Sequence, residues 1–108
     1  MNKKYVAIYT GQRYRYSSQL TKDIAKRIYE EGIPVRKYTK VGPLRIITPC
    51  VDIRVVCYND EILGLRFDEV FNFDPYIAMD LRKSHSEEGY SGSLLDYVFK
   101  EHRKLGLI

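Results

Sequence analysis

The chain has 108 residues, 44% of them hydrophobic and 30% charged, the usage of one compact globular domain rather than of a disordered tail. Its net charge of +4 permits an acidic partner such as nucleic acid without demanding one. No apolar run approaches the roughly 20 residues of a membrane helix, and residues 1–4 lead into a strand-like segment with no signal-type leader. A soluble, cytoplasmic protein with no membrane partner is therefore expected.

Residues 5–10, YVAIYT, form a short, nearly continuous apolar run, the pattern of a strand covered on both faces. Gly11 ends it, and residues 11–18 read as a loop. A helix is predicted from about Ser18, capped by Ser17 or Ser18. Leu20, Ile24 and Ile28 recur at helical spacing, with Ala25 and Tyr29 beside them, as one apolar stripe. Gly32 and Pro34 stop the helix, and a second strand is predicted over residues 35–39. Strand, helix and strand joined by short connections predict a parallel pair with a right-handed crossover.

Val41, Gly42 and Pro43 then turn the chain. Residues 44–48 and 52–58 read as the strands of a hairpin, broken by the TPCV of residues 48–51. Polar and apolar residues alternate at the start of DIRVVC (52–57), so one face of that strand is expected to meet solvent. Another strand is predicted over 69–73. It ends at Asp74-Pro75, an N-cap followed by a good first helical residue, which predicts a short helix over 76–83. SHSEEGYSG, residues 84–92, is polar and expected to be flexible, as a lid or a tether. Ser93 with Asp96 resembles a capping box for a last helix over 94–105, in a C-terminal segment of 93–106. Its docking face is Leu94, Leu95, Val98, Phe99 and Leu105. The expected fold is α/β: a mostly parallel sheet, an antiparallel hairpin addition, and helices on the sheet's faces.

The stretch GQRYRYSS, residues 11–18, carries the chemistry. A phosphate-binding loop runs Gly, four residues, then Gly-Lys-Ser or Gly-Lys-Thr, between a strand and a helix. Its amides curl around phosphate, the helix N-terminus adds positive potential, and Ser or Thr holds magnesium. Here Gly11 and Ser18 fit, Tyr16 replaces the second Gly, and Ser17 replaces Lys. Arg13 or Arg15 could supply the missing cation, with Gln12 completing the loop. Two readings stay open: a phosphate or nucleic-acid site at Gly11, Gln12, Arg13, Arg15, Ser17 and Ser18, or an ordinary strand-to-helix loop with two exposed arginines. Arg13, Tyr14, Arg15 and Tyr16 interleave basic and aromatic groups, which suits nucleic-acid phosphates and bases or an acidic protein surface.

With LRIITPCVDIRVVCYND (44–60) and ILGLRFDEVFNFDP (62–75) added, the chain resembles P-loop ATPases of phage terminase large subunits and related small phage P-loop proteins, over residues 5–80. Gly64, Arg66 and Asp68 match that family's Arg-Gly-x-Arg-x-Asp segment in part. The resemblance implies a P-loop NTPase-like three-layer sandwich, with Asp74 at the place of the magnesium-holding Asp. Read from the residues alone, Asp74 is a helix cap. The chain departs from the family at the Lys, at the second Gly, and at the catalytic Glu, where Pro75 stands, and Asn72 interrupts the hydrophobic run before Asp74. Phosphoryl transfer depends on those parts, so no catalytic residue is expected.

Of the remaining polar groups, His85 and His102 read as solvated residues and Glu87-Glu88 as loop solvation. Cys50 and Cys57 show no zinc spacing and read as buried thiols. Ten tyrosines without a tryptophan favour a binding surface slightly. The first functional expectation is a non-enzymatic phage-type protein, in the host cytoplasm, binding nucleic acid or protein. By resemblance and size it would suit an inhibitor of a host defence nuclease. The second is a nucleotide-binding protein or NTPase, with ATP and magnesium as cofactors and an arginine in place of the Lys. The third is a small structural or assembly subunit forming a homo-oligomer through its tyrosines.

Overall fold

Residues 3–10, 14–38, 44–56, 66–72, 84–86 and 93–108 are described from a computed structural model. The elements run β1 (Lys4–Tyr9), α1 (Tyr14–Glu30), β2 (Arg36–Tyr38), β3 (Leu44–Ile47), β4 (Val51–Val56), β5 (Glu69–Asn72), β6 (Ser84–Ser86) and α2 (Ser93–Lys104). They build a small α/β fold on a mixed sheet of order β2-β3-β4-β1-β5-β6. β1 pairs in parallel with β4 on one side and β5 on the other, and β6 extends β5 in parallel. β3 is antiparallel to both β2 and β4.

The expected hairpin is β3–β4. Its tight turn is built by Thr48, whose Oγ1 accepts the amides of Cys50 and Val51 at 3.3 and 3.0 Å. The expected β1–β2 pair does not form: β3 and β4 stand between those strands. β4 takes the place beside β1 because five of its six residues are buried, whereas Arg36 and Lys37 of β2 are exposed and suit an edge. Residues 84–86, expected as part of a flexible polar segment, form the strand β6 on the free edge of β5. Backbone pairing, to which side-chain patterning is blind, places them there. The helix expected over 76–83 and the rest of the polar segment lie outside the described residues.

The alternation of β1 and β4 sends Val6, Ile8, Ile53 and Val55 to one face, where α1 and α2 both pack. Leu20, Ile24 and Ile28 of α1 are fully buried there with Leu94 and Val98 of α2. Burial of each such side chain stabilises the fold by about 1.5–3 kcal/mol. Tyr29, expected beside the stripe, is 69% exposed, and Leu105, expected to dock, is 49% exposed. Tyr29 falls one residue beyond Ile28 and so rotates off the buried face, and Leu105 lies past the end of α2. Gly32 ends α1 at φ +90° with its amide on the Tyr29 carbonyl, 2.9 Å. Gly106 ends α2 at φ +70°, in a Schellman arrangement: the Leu107 amide reaches His102 O at 3.0 Å and the Gly106 amide reaches Arg103 O at 3.1 Å.

The other sheet face carries a smaller cluster of Ala7, Tyr9 and Val56, with Phe67 and Val70 beside it. Asp52 belongs to this face by register and was expected to meet solvent, yet it is only 7% exposed. The reason is Arg45, whose Nε and Nη2 donate to the two Asp52 oxygens at 3.3 and 2.5 Å.

Candidate functional site

The carboxyl ends of β4, β1 and β5 lie side by side, and α1 rises directly from the end of β1. Open α/β sheets bind ligands at this edge. α1 begins at Tyr14, not at Ser18, so Tyr14, Arg15 and Tyr16 form its first turn and Ser17 and Ser18 stand within the helix. Neither serine is the expected N-cap. The buried hydroxyls of Ser17 and Thr10 contact each other. Thr10 also donates its amide and its hydroxyl to the Val56 carbonyl, at 3.0 and 3.2 Å, and Thr21 Oγ1 donates to the Ser17 carbonyl at 2.7 Å. Ser17 is thus part of a hydroxyl tie that fixes α1 to the ends of β1 and β4. Gly11, Gln12, Arg13 and Asp74 lie outside the described residues, as does Cys57.

The first turn of α1 contains no acidic residue, and Arg15 is in it. A helix N-terminus carries partial positive charge and ordinarily attracts Asp or Glu. A cation placed there opposes the helix and favours an external anion.

A second group of polar residues was not foreseen. On the sheet face away from the helices, Tyr5, Arg54, Arg66 and Phe67 line a cleft of about 200 Å³. Arg45 and Arg54 are register partners across β3 and β4, so two cations stand opposite one another. The alternation of Asp52, Ile53 and Arg54 carried part of this signal. The pairing with Arg45 and the approach of Arg66 needed the tertiary fold.

His102, expected in solvent, is completely buried. Its Nδ1 donates to the Val98 carbonyl at 2.7 Å, and Nε2 has no hydrogen-bond partner among the described residues. His85 stands on β6 opposite Phe71. Cys50 is buried as expected, and burial, followed by the charge of Glu101, raises its thiol pKa. Tyr97 packs on Phe71 with ring centroids 6.0 Å apart. Burial, followed by the charges of Glu101, Asp68 and Glu69, pushes its phenol up to about 12.

Among the described residues no group of three or more His, Cys, Asp or Glu side chains is placed to hold a metal ion. No described helix is long and apolar enough to cross a membrane. No protein-family model, curated protein or solved structure matches the chain.

Proposed function

We propose that the chain is a non-enzymatic binding protein whose partner is a polyanion, nucleic acid ahead of an acidic protein surface, engaged at the carboxyl edge by Arg13, Tyr14, Arg15 and Tyr16. The observation that carries this reading is the first turn of α1, which lacks an acid and includes Arg15 beside the positive helix end. The start of α1 at Tyr14 also favours side-chain contacts over a nucleotide cradle, because helical backbone from Tyr14 onward leaves only residues 10–13 between β1 and the helix. The burial of Ser17 in its tie to Thr10 points the same way.

The same reading takes the fold as a degenerate relative of the P-loop sandwich: a mostly parallel core with an antiparallel addition at β2 and β3. The parallel run β4-β1-β5-β6 supports it. So does the burial of Ala7, Tyr9 and Val56 on the face away from α1 and α2.

Fluorescence anisotropy with labelled single- and double-stranded oligonucleotides, at 50 and 200 mM salt, tests the proposal. Binding should weaken steeply with salt and fall on combined Arg13→Ala and Arg15→Ala substitution. A magnesium-dependent thermal shift with ATP that the same double variant abolishes would overturn it in favour of a nucleotide site.

A further inference from the structure

We propose that the sheet face away from the helices holds a single strand of nucleic acid at its amino end, with bases stacked on Tyr5 and Phe67 and phosphates at Arg54 and Arg66. This rests on the nucleic-acid reading above and adds a second surface to it.

The sequence places the cations by simple alternation. Arg45 of β3 and Arg54 of β4 occupy paired positions on one face. Like charges directly opposite each other in a sheet are destabilising. Arg45 is relieved by its two hydrogen bonds to Asp52. Arg54 has no such relief: among the described residues neither it nor Arg66 forms an ion pair. Asp68, the nearby acid, is committed to the backbone. Its Oδ2 accepts the Tyr5 amide at 2.7 Å, and its own amide donates to the Tyr5 carbonyl at 2.7 Å.

Those two hydrogen bonds to Asp68 fix the backbone beneath an aromatic ring that is 51% exposed. Phe67 lies half-buried next to it, and Arg66 is exposed. The arrangement is two guanidiniums without an ion-pair partner among the described residues, and two accessible rings, around one shallow cleft. A positive groove with rings that bases can stack on is how proteins hold single strands without reading their sequence. A duplex hides the base faces that these rings would use. An acidic peptide would satisfy the arginines but leave the rings unoccupied. Charge and ring together therefore select a single strand.

The test is anisotropy of a labelled oligo-dT 12-mer against the matching duplex, on wild type, Arg54→Gln/Arg66→Gln, Tyr5→Ala and Arg13→Ala/Arg15→Ala. The proposal expects preference for the single strand. The Arg54→Gln/Arg66→Gln variant should lose affinity about tenfold or more, with the salt slope reduced by about 1.4 for two contacts. Tyr5→Ala should weaken binding at least about fivefold. Arg54→Gln alone should raise the Tm by about 1–5 °C while weakening binding, since it removes a repulsion from the folded state. That opposition of stability and affinity is something a merely structural arginine would not produce.

Binding lost in Arg13→Ala/Arg15→Ala but unchanged in Arg54→Gln/Arg66→Gln would overturn this proposal and leave the carboxyl-edge reading standing. The reverse pattern would keep the sheet face and remove the edge. Equal affinity for the duplex, or for polyglutamate, would overturn the single-strand assignment. No nucleic-acid binding at 50 mM salt would overturn this proposal and the nucleic-acid form of the carboxyl-edge reading, leaving an acidic protein surface as the partner there.

Discussion

Thr10, just past the end of β1, and Ser17, within α1, meet through their hydroxyls in a site closed to solvent. The same Thr10 reaches the last residue of β4 through the Val56 carbonyl. Ser17→Ala should therefore cost about 1–2 kcal/mol, since the buried Thr10 hydroxyl loses one of its hydrogen bonds. Ser17→Lys would restore the lysine of a phosphate-loop pattern, yet it would place an ammonium where no water reaches. It should cost about 3 kcal/mol or more and create no ATP-dependent thermal shift. Urea unfolding of both variants checks the ordering, and a nucleotide-stabilised Ser17→Lys protein would refute it.

Tyr97 should make the fold sensitive to alkali. Its folded pKa of about 12 lies above the ordinary value of 10.0. Above pH 10 the unfolded chain releases a proton that the native state keeps, so stability is full below pH 10 and falls as pH rises towards 12. Tyr97→Phe should flatten the Tm profile between pH 10 and 12 and leave it unchanged near pH 7. Parallel profiles for wild type and variant would show that Tyr97 does not govern the alkaline limb.

His102 gives the opposite kind of prediction, a buried polar residue whose removal is tolerated. Its Nδ1 bonds a carbonyl that the helix already uses, while Nε2 is buried without a partner among the described residues. His102→Leu keeps the volume and removes the orphan atom. The denaturation midpoint should hold or rise, within about 1 kcal/mol of wild type. A loss of about 2 kcal/mol or more would mean that Nε2 does useful bonding in solution.

Arg45→Ala should be costly for a different reason. It leaves Asp52, only 7% exposed, without its guanidinium. Arg45 itself is partly exposed, so the penalty should be about 1–3 kcal/mol, below that of a fully buried pair. Adding Asp52→Asn should recover part of the loss, which a double-mutant cycle reads directly.

Much of the frame was legible from local pattern. Leu20, Ile24 and Ile28 gave α1 its buried stripe, and Thr48 to Val51 gave the turn of the β3–β4 hairpin. The start of α1 was misplaced because Gly11 and Ser18 fit a phosphate-loop spacing, and that spacing made loop of residues the fold winds into helix at Tyr14. The place of β2 was misjudged because adjacency in sequence suggested adjacency in the sheet. Burial of β4 decided otherwise. Asp52 and His102 were read as solvated because each needs one partner, Arg45 or the Val98 carbonyl, that charge and composition do not reveal. The cleft of Tyr5, Arg54, Arg66 and Phe67 draws on three separate segments, so no motif search along the chain would assemble it.

The position of β1 also sets a schedule for folding. It precedes every other strand in the chain, yet both its edges are completed only by β4 and β5, the latter ending at Asn72. During synthesis an apolar strand with two open edges must wait for its neighbours to be made, with α1 as its earliest available cover. Non-local closure of this kind slows folding and exposes strand edges to other chains. Low expression temperature and an available chaperone should therefore raise the yield of native protein more than any gain in the stability of the finished fold.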